Sequence, residues 1–200
     1  GGKLPAGILR ALTPGAADAW FTALSRFGTM RFADAAAPAI ALAEQGFPAY
    51  RVLTAAIAAA PETFRRWPSN AEVFLPGGRP PRLGELFFQR DLAATLRGLV
   101  NAEEEHRREG RVRALQAARD VVYHGPLAEK IVAFCRSEGG LLTPADLGEY
   151  RVRLEPPVHV NYRGYDVYGT GPWGQGPVFP QALKILEGFD LRAMGHNSAA

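Results

Sequence analysis

The sequence has a single cysteine, Cys135, so no internal disulfide can form and the redox compartment is left undetermined. It has no apolar run approaching about 18 residues, which excludes a membrane-spanning helix. Lysine is scarce, 3 against 20 arginines, a bias of composition as much as of function. The charge excess is small, +3 with an isoelectric point near 9.2, and the basic residues are scattered, so no nucleic-acid-binding stripe is expected. Internal repeats are missing. Glycine and proline supply 38 of 200 residues but lie between apolar segments, which excludes collagen-like and low-complexity readings. There is no G-x-S-x-G elbow and no P-loop. The four histidines, His106, His124, His159 and His196, show no metal-ligand spacing, so no metal site is expected. No spacing brings two carboxylates together as an acid–base pair.

What is there is an ordinary globular composition, 47% hydrophobic and 22% charged, enough for a sizeable core. The opening Gly1-Gly2-Lys3-Leu4-Pro5 lacks an initiator Met and a signal-peptide pattern, and reads as a chain that starts inside a longer one. No linker divides the chain into domains. The run Glu103-Glu104-Glu105-His106-Arg107-Arg108-Glu109 mixes both signs and reads as a solvated helix surface. Cys135, beside Phe134, reads as a packed core thiol.

The first half reads as helix. Trp20, Leu24 and Phe27 form a stripe for burial, with Pro14 at the entry and Gly28 at the exit. A second helix runs from an Asp34 cap through Ala37, Ile40 and Ala41 to Gly46. A third runs from about Ala49 through Val52, Leu53 and Ile57 to the edge of Pro61. From Trp67 to Arg82 the prolines and glycines predict a loop, with a short strand at Val73-Phe74-Leu75. Helix resumes near Asp91 with Leu92, Leu96, Leu99 and Val100. Further helices carry Val112, Leu115, Ala118 and Val122, then Leu127, Ile131 and Phe134. Thr143-Pro144-Ala145-Asp146 has the form of a capping box.

After Tyr150 the period changes from helix to strand. Val158, Val160 and Tyr162 alternate with polar residues, Gly164 turns the chain, and Tyr165–Tyr168 returns, so a hairpin spans Val158–Tyr168. A Gly/Pro loop, Gly169–Pro177, then feeds a helix with Val178, Ala182, Leu183 and Leu186. That loop formally satisfies G-x-G-x-x-G, with Asp190 about 20 residues on. Pro172 removes a donor, Trp173 is bulky, and a hairpin rather than a parallel βαβ unit precedes it, so a dinucleotide site is disfavoured.

The segments Thr13-Pro14-Gly15, Ala37-Pro38-Ala39-Ile40, Ala43–Pro48, Gly139–Leu147, Tyr162–Tyr168, Gln181–Leu191 and Gly195–Ala199, in this order, resemble the γ-glutamyltransferase family. The resemblance covers nearly the whole chain and rests on the conjunction of motifs. It implies the middle to C-terminal part of the large subunit of an N-terminal-nucleophile hydrolase. The expected class is α+β, mostly helical with the Val158–Tyr168 hairpin, within an α/β/β/α fold, and residues 1–200 are expected to be one incomplete domain.

In that family a precursor cuts itself, and a Thr at the head of the small subunit becomes both nucleophile and, through its α-amine, base. Glutathione and related γ-glutamyl amides are the implied substrates, water or an amine the implied acceptor, and no cofactor is implied. The partner is the small subunit of the same precursor, and the family leans towards the periplasm or exterior. The Thr-Thr-His-type cleavage site is absent here, and the carboxylate-gripping Arg lies upstream in the family, so no catalytic residue is assigned. The stretch from Asn101 to Arg119 looks longer than in typical members. Gly171-Pro172-Trp173-Gly174-Gln175-Gly176-Pro177 replaces the family's Ser-Ser-Gly-Gly-like loop, which leaves an acylase of another amide, glutaryl-type, as the alternative. A noncatalytic helical partner-binding module is the rival from another class. Trp173 is the one substrate-binding candidate, either exposed at the mouth of the site or packed against the body.

Overall fold

A computed structural model describes residues 7–198; the Gly1–Pro5 opening and Ala199 of the last motif lie outside the described residues. The chain divides into two compact units, Gly1–Val152 and Arg153–Ala200. The division falls just past Tyr150, where the period of the sequence changes.

The first unit is helical. Its elements are α1 (Ala16–Phe27), α2 (Phe32–Gln45), β1 (Phe47–Pro48), α3 (Arg51–Ala59), α4 (Pro61–Arg65), α5 (Pro68–Phe74), β2 (Leu86–Phe87), α6 (Arg90–Glu105), α7 (Arg111–Tyr123), α8 (Pro126–Ser137) and α9 (Pro144–Gly148). Proline opens α4, α5, α8 and α9, where its missing N–H costs nothing. The capping box at α9 is present: Thr143 accepts from the Asp146 N–H, and Asp146 accepts from the Thr143 N–H at 2.8 Å. Gly46 ends α2 at φ 81°, and a Cβ there would lie 2.7 Å from the Phe88 ring.

The main core joins Phe21, Phe32, Ile40, Leu96, Leu99, Leu115, Ala118, Val122, Tyr123, Val132 and Leu147. A second cluster gathers Ala49, Ile57, Leu75 and Phe87 around the antiparallel β1–β2 pair, where Phe47 faces Phe87. Burying one such Phe or Ile side chain contributes roughly 1.5–3 kcal/mol.

Several sequence expectations are corrected. Val73-Phe74-Leu75 is not a strand: Pro68–Phe74 is helix α5, followed by a 3-10 turn at Pro76–Gly78, because Pro68 starts a helix as readily as it breaks one. The buried face of α1 is Ala17, Asp18 and Phe21, whereas Phe27 is exposed and Trp20 is 46% exposed. Trp20 and Leu24 instead line an apolar groove of about 490 Å³ with Phe32, Ala36, Leu92 and Leu96. On α8 the core takes Ala128, Val132 and Cys135, one position from the expected set. Helix α2 begins at Phe32, so Asp34 lies in its first turn, not at its cap, and α3 begins at Arg51.

The charge run is also corrected at one residue. Glu103 is only 6% exposed, and its two carboxylate oxygens accept the Phe32 and Ala33 N–H groups, both at 2.8 Å. Those N–H groups open α2 and have no partner within the helix. Glu103 therefore caps α2 from another helix, while Glu104, Glu105, Arg107 and Arg108 remain exposed as expected.

The second unit contains β3 (Val158–Tyr162), β4 (Tyr165–Gly169), α10 (Val178–Leu186) and α11 (Leu191–Met194). The described residues are thus mostly helical with two small antiparallel sheets, β1–β2 and β3–β4, an α+β arrangement. Among the described residues no helix is long and apolar enough to cross a membrane.

Candidate functional site

The expected hairpin is there, with Val158 opposite Gly169 and Tyr162 opposite Tyr165. Arg163 and Gly164 turn it, both with positive φ (50° and 89°), the conformation that a two-residue turn needs to match strand twist. Asn161 Oδ1 accepts the Gly164 N–H at 3.1 Å, and Arg163 donates to the Phe189 carbonyl at 3.0 Å. Lys184 pairs with Glu187 and donates to the Asn161 carbonyl, so α10 is tied to the turn.

Alternation gives the hairpin two faces. Val158, Val160, Tyr162 and Val167 are half-buried. The opposite face carries His159, Asn161, Asp166 and Tyr168. His159 Nε2 lies 2.8 Å from Asp166 Oδ1, Asn161 donates to the same oxygen at 3.1 Å, and the His159 ring stacks on Tyr168 with centroids 4.7 Å apart. The Asn161 and His159 hydrogen bonds hold the Asp166 carboxyl below the usual carboxylate range.

The loop after β4 closes on itself. A Cβ on Gly176 would lie 2.0 Å from the Thr170 carbonyl oxygen, and one on Gly171 would lie 2.9 Å from Trp173 Nε1. Of the glycines in the formal G-x-G-x-x-G pattern, Gly169 and Gly171 are required by the loop's own closure, a Cβ on Gly169 lying 2.7 Å from the Gly176 carbonyl oxygen, whereas a Cβ on Gly174 would only touch Thr170 Oγ1 at 3.4 Å. Asp190, at the spacing of a ribose-binding acid, instead caps α11 by accepting the Arg192 and Ala193 N–H groups at 3.2 and 3.0 Å.

Trp173 stands at the tip of this loop, 74% exposed. Its indole Nε1–H donates to Glu155 Oε2 at 2.6 Å, a charge-assisted bond across 18 residues of sequence. Sequence reasoning singled out Trp173 and missed Glu155, because nothing in the spacing signals a contact that the intervening hairpin creates.

The histidines are not gathered. His106 bonds Glu109 at 2.7 Å, His124 lies 3.9 Å from Asp120, and His159 bonds Asp166, each in its own neighbourhood. Among the described residues no group of three or more His, Cys, Asp and Glu side chains could hold a metal ion. Cys135 is buried at 2% exposure, as a core thiol.

Comparison with known proteins bears on this geometry. An acylase ACY 1 proenzyme of Pseudomonas sp. (strain SE83) is 37% identical over 186 residues, which is 92% of this chain and 31% of that protein. A glutathione hydrolase proenzyme of Pseudomonas sp. (strain A14) is 32% identical over 99% of this chain and 32% of its own length. The chain thus spans about a third of the length of these curated relatives. The crystal structure of Helicobacter pylori gamma-glutamyltranspeptidase superposes with a TM-score of 0.82 at 29% identity, covering 96% of this chain and 52% of that one. The gamma-glutamyltranspeptidase family model matches residues 2–200, and the chain belongs to that family.

Proposed function

We propose that this chain is the middle to C-terminal part of the large subunit of an enzyme that cleaves γ-glutamyl or related amides and passes the acyl group to water or an amine. The observation that carries the reading is the family match along residues 2–200, together with relatives named as proenzymes, a name that fits a precursor cut into subunits. In the proposed reaction a Thr hydroxyl heading the small subunit attacks the amide carbonyl while its α-amine takes the proton. That proton passes to the departing amine, leaving an acyl ester on the Thr. Water or a second amine then attacks the ester and restores the hydroxyl. The mechanism calls on no cofactor.

The chain's part is structural and substrate-facing. Its helices and hairpin contribute to an α/β/β/α enzyme, and Trp173, presented on a closed loop, is the substrate-binding candidate. None of its residues is assigned to catalysis.

Two observations favour a second reading, an acylase of another amide such as a glutaryl amide. The identity to the acylase proenzyme, 37%, exceeds that to the glutathione hydrolase proenzyme, 32%, and the 171–177 loop departs from the transpeptidase pattern. The test is to express the full precursor and follow its self-cleavage, then assay it with γ-glutamyl and glutaryl anilides. Self-cleavage with turnover of the γ-glutamyl anilide supports the first reading, and turnover of the glutaryl anilide alone supports the second. A precursor that neither cuts itself nor turns over either anilide overturns both.

A further inference from the structure

The geometry points to Glu155 as a positioning residue that fixes Trp173 as an apolar platform, selecting amides whose departing amine carries a large planar or apolar ring system. The inference rests on the proposed amide-cleaving reaction and adds to it the identity of the selecting surface and its anchor.

Three observations converge on it. First, the loop cannot collapse or swell freely. Its neck is pinched where Gly176 meets the Thr170 carbonyl, an approach that no residue with a Cβ could make. A loop this closed at its base presents its tip as a fixed feature, the usual way a scaffold positions a binding residue.

Second, Trp173 is held without being buried. Within this chain Trp173 is 74% exposed, so no packing inside the chain accounts for the indole's orientation. Its one polar group, a donor only, is taken by Glu155 at 2.6 Å. Gly171 leaves the space that this approach requires. With the N–H occupied, what remains for a ligand is the π face and the benzo edge. Such a surface discriminates by stacking and apolar contact and offers no hydrogen bond to a small polar amine.

Third, the anchor comes from outside the loop. Glu155 precedes the hairpin and Trp173 follows it, so the bond fixes the indole relative to the strand pair rather than to its own loop alone. A carboxylate that served only solubility would not need the indole. The hydrogen bond sets one edge of the ring, and the ring's faces follow.

The experiment uses the full, self-cleaved enzyme and a pair of acyl-matched amides, one with a bulky aromatic leaving amine and one with glycine as the leaving amine. The quantity read is the ratio of their kcat/KM values. Trp173→Ala should lower the ratio about tenfold, mainly through KM for the aromatic amide, in the range that loss of an apolar contact gives. Glu155→Leu should lower it by a similar factor, and the double variant should be no worse than either single one, since both act through one ring. Glu155→Gln, whose amide oxygen accepts the same bond, should restore most of the ratio. Trp173→Phe, which keeps a ring but has no N–H, guards against a loop that fails to fold. It should retain part of the ratio and should be insensitive to Glu155→Leu.

An unchanged ratio in Trp173→Ala overturns the inference, as does an unchanged ratio in Glu155→Leu. A Glu155→Gln variant as poor as Glu155→Leu overturns the positioning role by showing that charge, not the bond, matters. If the unmodified enzyme turns over neither amide, the amide-cleaving reading itself has failed, which is a separate result.

Discussion

Asp18 on α1 and Arg119 on α7, 101 residues apart in sequence, form a buried ion pair with exposures of 2% and 4%. Both groups make further hydrogen bonds. The second Asp18 oxygen accepts the Val152 N–H, and Arg119 donates to the Tyr150 carbonyl at 2.6 Å. The guanidinium also lies 4.5 Å from the Tyr123 ring, whose hydroxyl donates to the Pro14 carbonyl at 2.6 Å. Burial pushes the Tyr123 phenol up from its usual range. The network pins the segment at residues 150–152 to the helical core.

That arrangement predicts an asymmetric mutational response. Asp18→Ala leaves a buried cation without its carboxylate and should cost about 3–5 kcal/mol of stability. Replacing both partners, Asp18→Leu with Arg119→Met, should cost much less, because neither charge is then buried alone. Denaturant midpoints of the two variants decide the matter. A double variant as unstable as the single one would show that the pair contributes specific geometry that apolar packing cannot replace.

Glu103 gives a second prediction. Its carboxylate accepts two N–H groups at the start of α2, where the helix dipole also favours negative charge. Glu103→Ala should cost about 1–3 kcal/mol, the loss expected when buried donors go unpaired. Glu103→Gln, which keeps one acceptor, should fall between. Amide hydrogen exchange at Phe32 and Ala33 should accelerate in both variants. Unchanged exchange there would mean that α2 finds its cap elsewhere.

How much of this was legible in the sequence depends on the range of the signal. The hairpin was legible because alternation, Gly164 and the return strand are all local. The capping box at Thr143 was legible for the same reason. Asp18, Arg119 and Glu103 were not, because the hydrogen-bond partners named above lie 31 to 134 residues away and a lone acid or base on a helix reads as solvent-facing. The face of α1 was misjudged because large side chains attract attention, while the core there is built on Ala17 and Phe21. Helix α5 was hidden by prolines that begin a helix as well as end one. At the candidate site, Trp173 stood out as a large aromatic among glycines, but its anchor, Glu155, was invisible before the hairpin folded.

The hairpin's polar face predicts a response to acid. Asp166 is held below the ordinary carboxylate range, first by Asn161 and then by His159, so its folded form favours the charged state. The stability it contributes is complete above the unfolded value, about 3.9, and is lost as pH falls through the lower folded value. The Asp166 carboxyl, followed by NMR, should therefore titrate below ordinary aspartate. Asn161→Ala should raise its midpoint. A midpoint indifferent to Asn161 would remove this account of the hairpin's outer face.

Gly176 predicts a packing effect. A methyl group there would meet the Thr170 carbonyl oxygen at 2.0 Å, and backbone, not a flexible side chain, is what it meets. Gly176→Ala should force the loop open at a cost of about 1–3 kcal/mol. Gly77, whose Cβ would meet nothing within 4 Å, sits at φ 68°, so alanine there brings backbone strain without a clash. Thermal midpoints for the two variants separate the causes. The Gly176 variant should also change the fluorescence of Trp173, and the Gly77 variant should not.

The last prediction concerns the 200-residue chain expressed by itself. Acyl transfer needs an activated nucleophile, a base and oxyanion donors held in one geometry. In the proposed reaction the nucleophile and base are a single Thr on the small subunit, so this chain alone should not turn over a chromogenic γ-glutamyl anilide. The same incompleteness should show in solution. On α10 and just beyond it Val178, Phe179, Ile185 and Phe189 are each at least half exposed, an apolar surface of the kind that promotes association. Light scattering should report self-association that falls when Phe179 and Ile185 are changed to Ser, and co-expression with the remainder of the precursor should restore both solubility and turnover. Turnover by the chain alone, abolished by changing one of its own residues, would place the chemistry in this chain and overturn the division of labour proposed above.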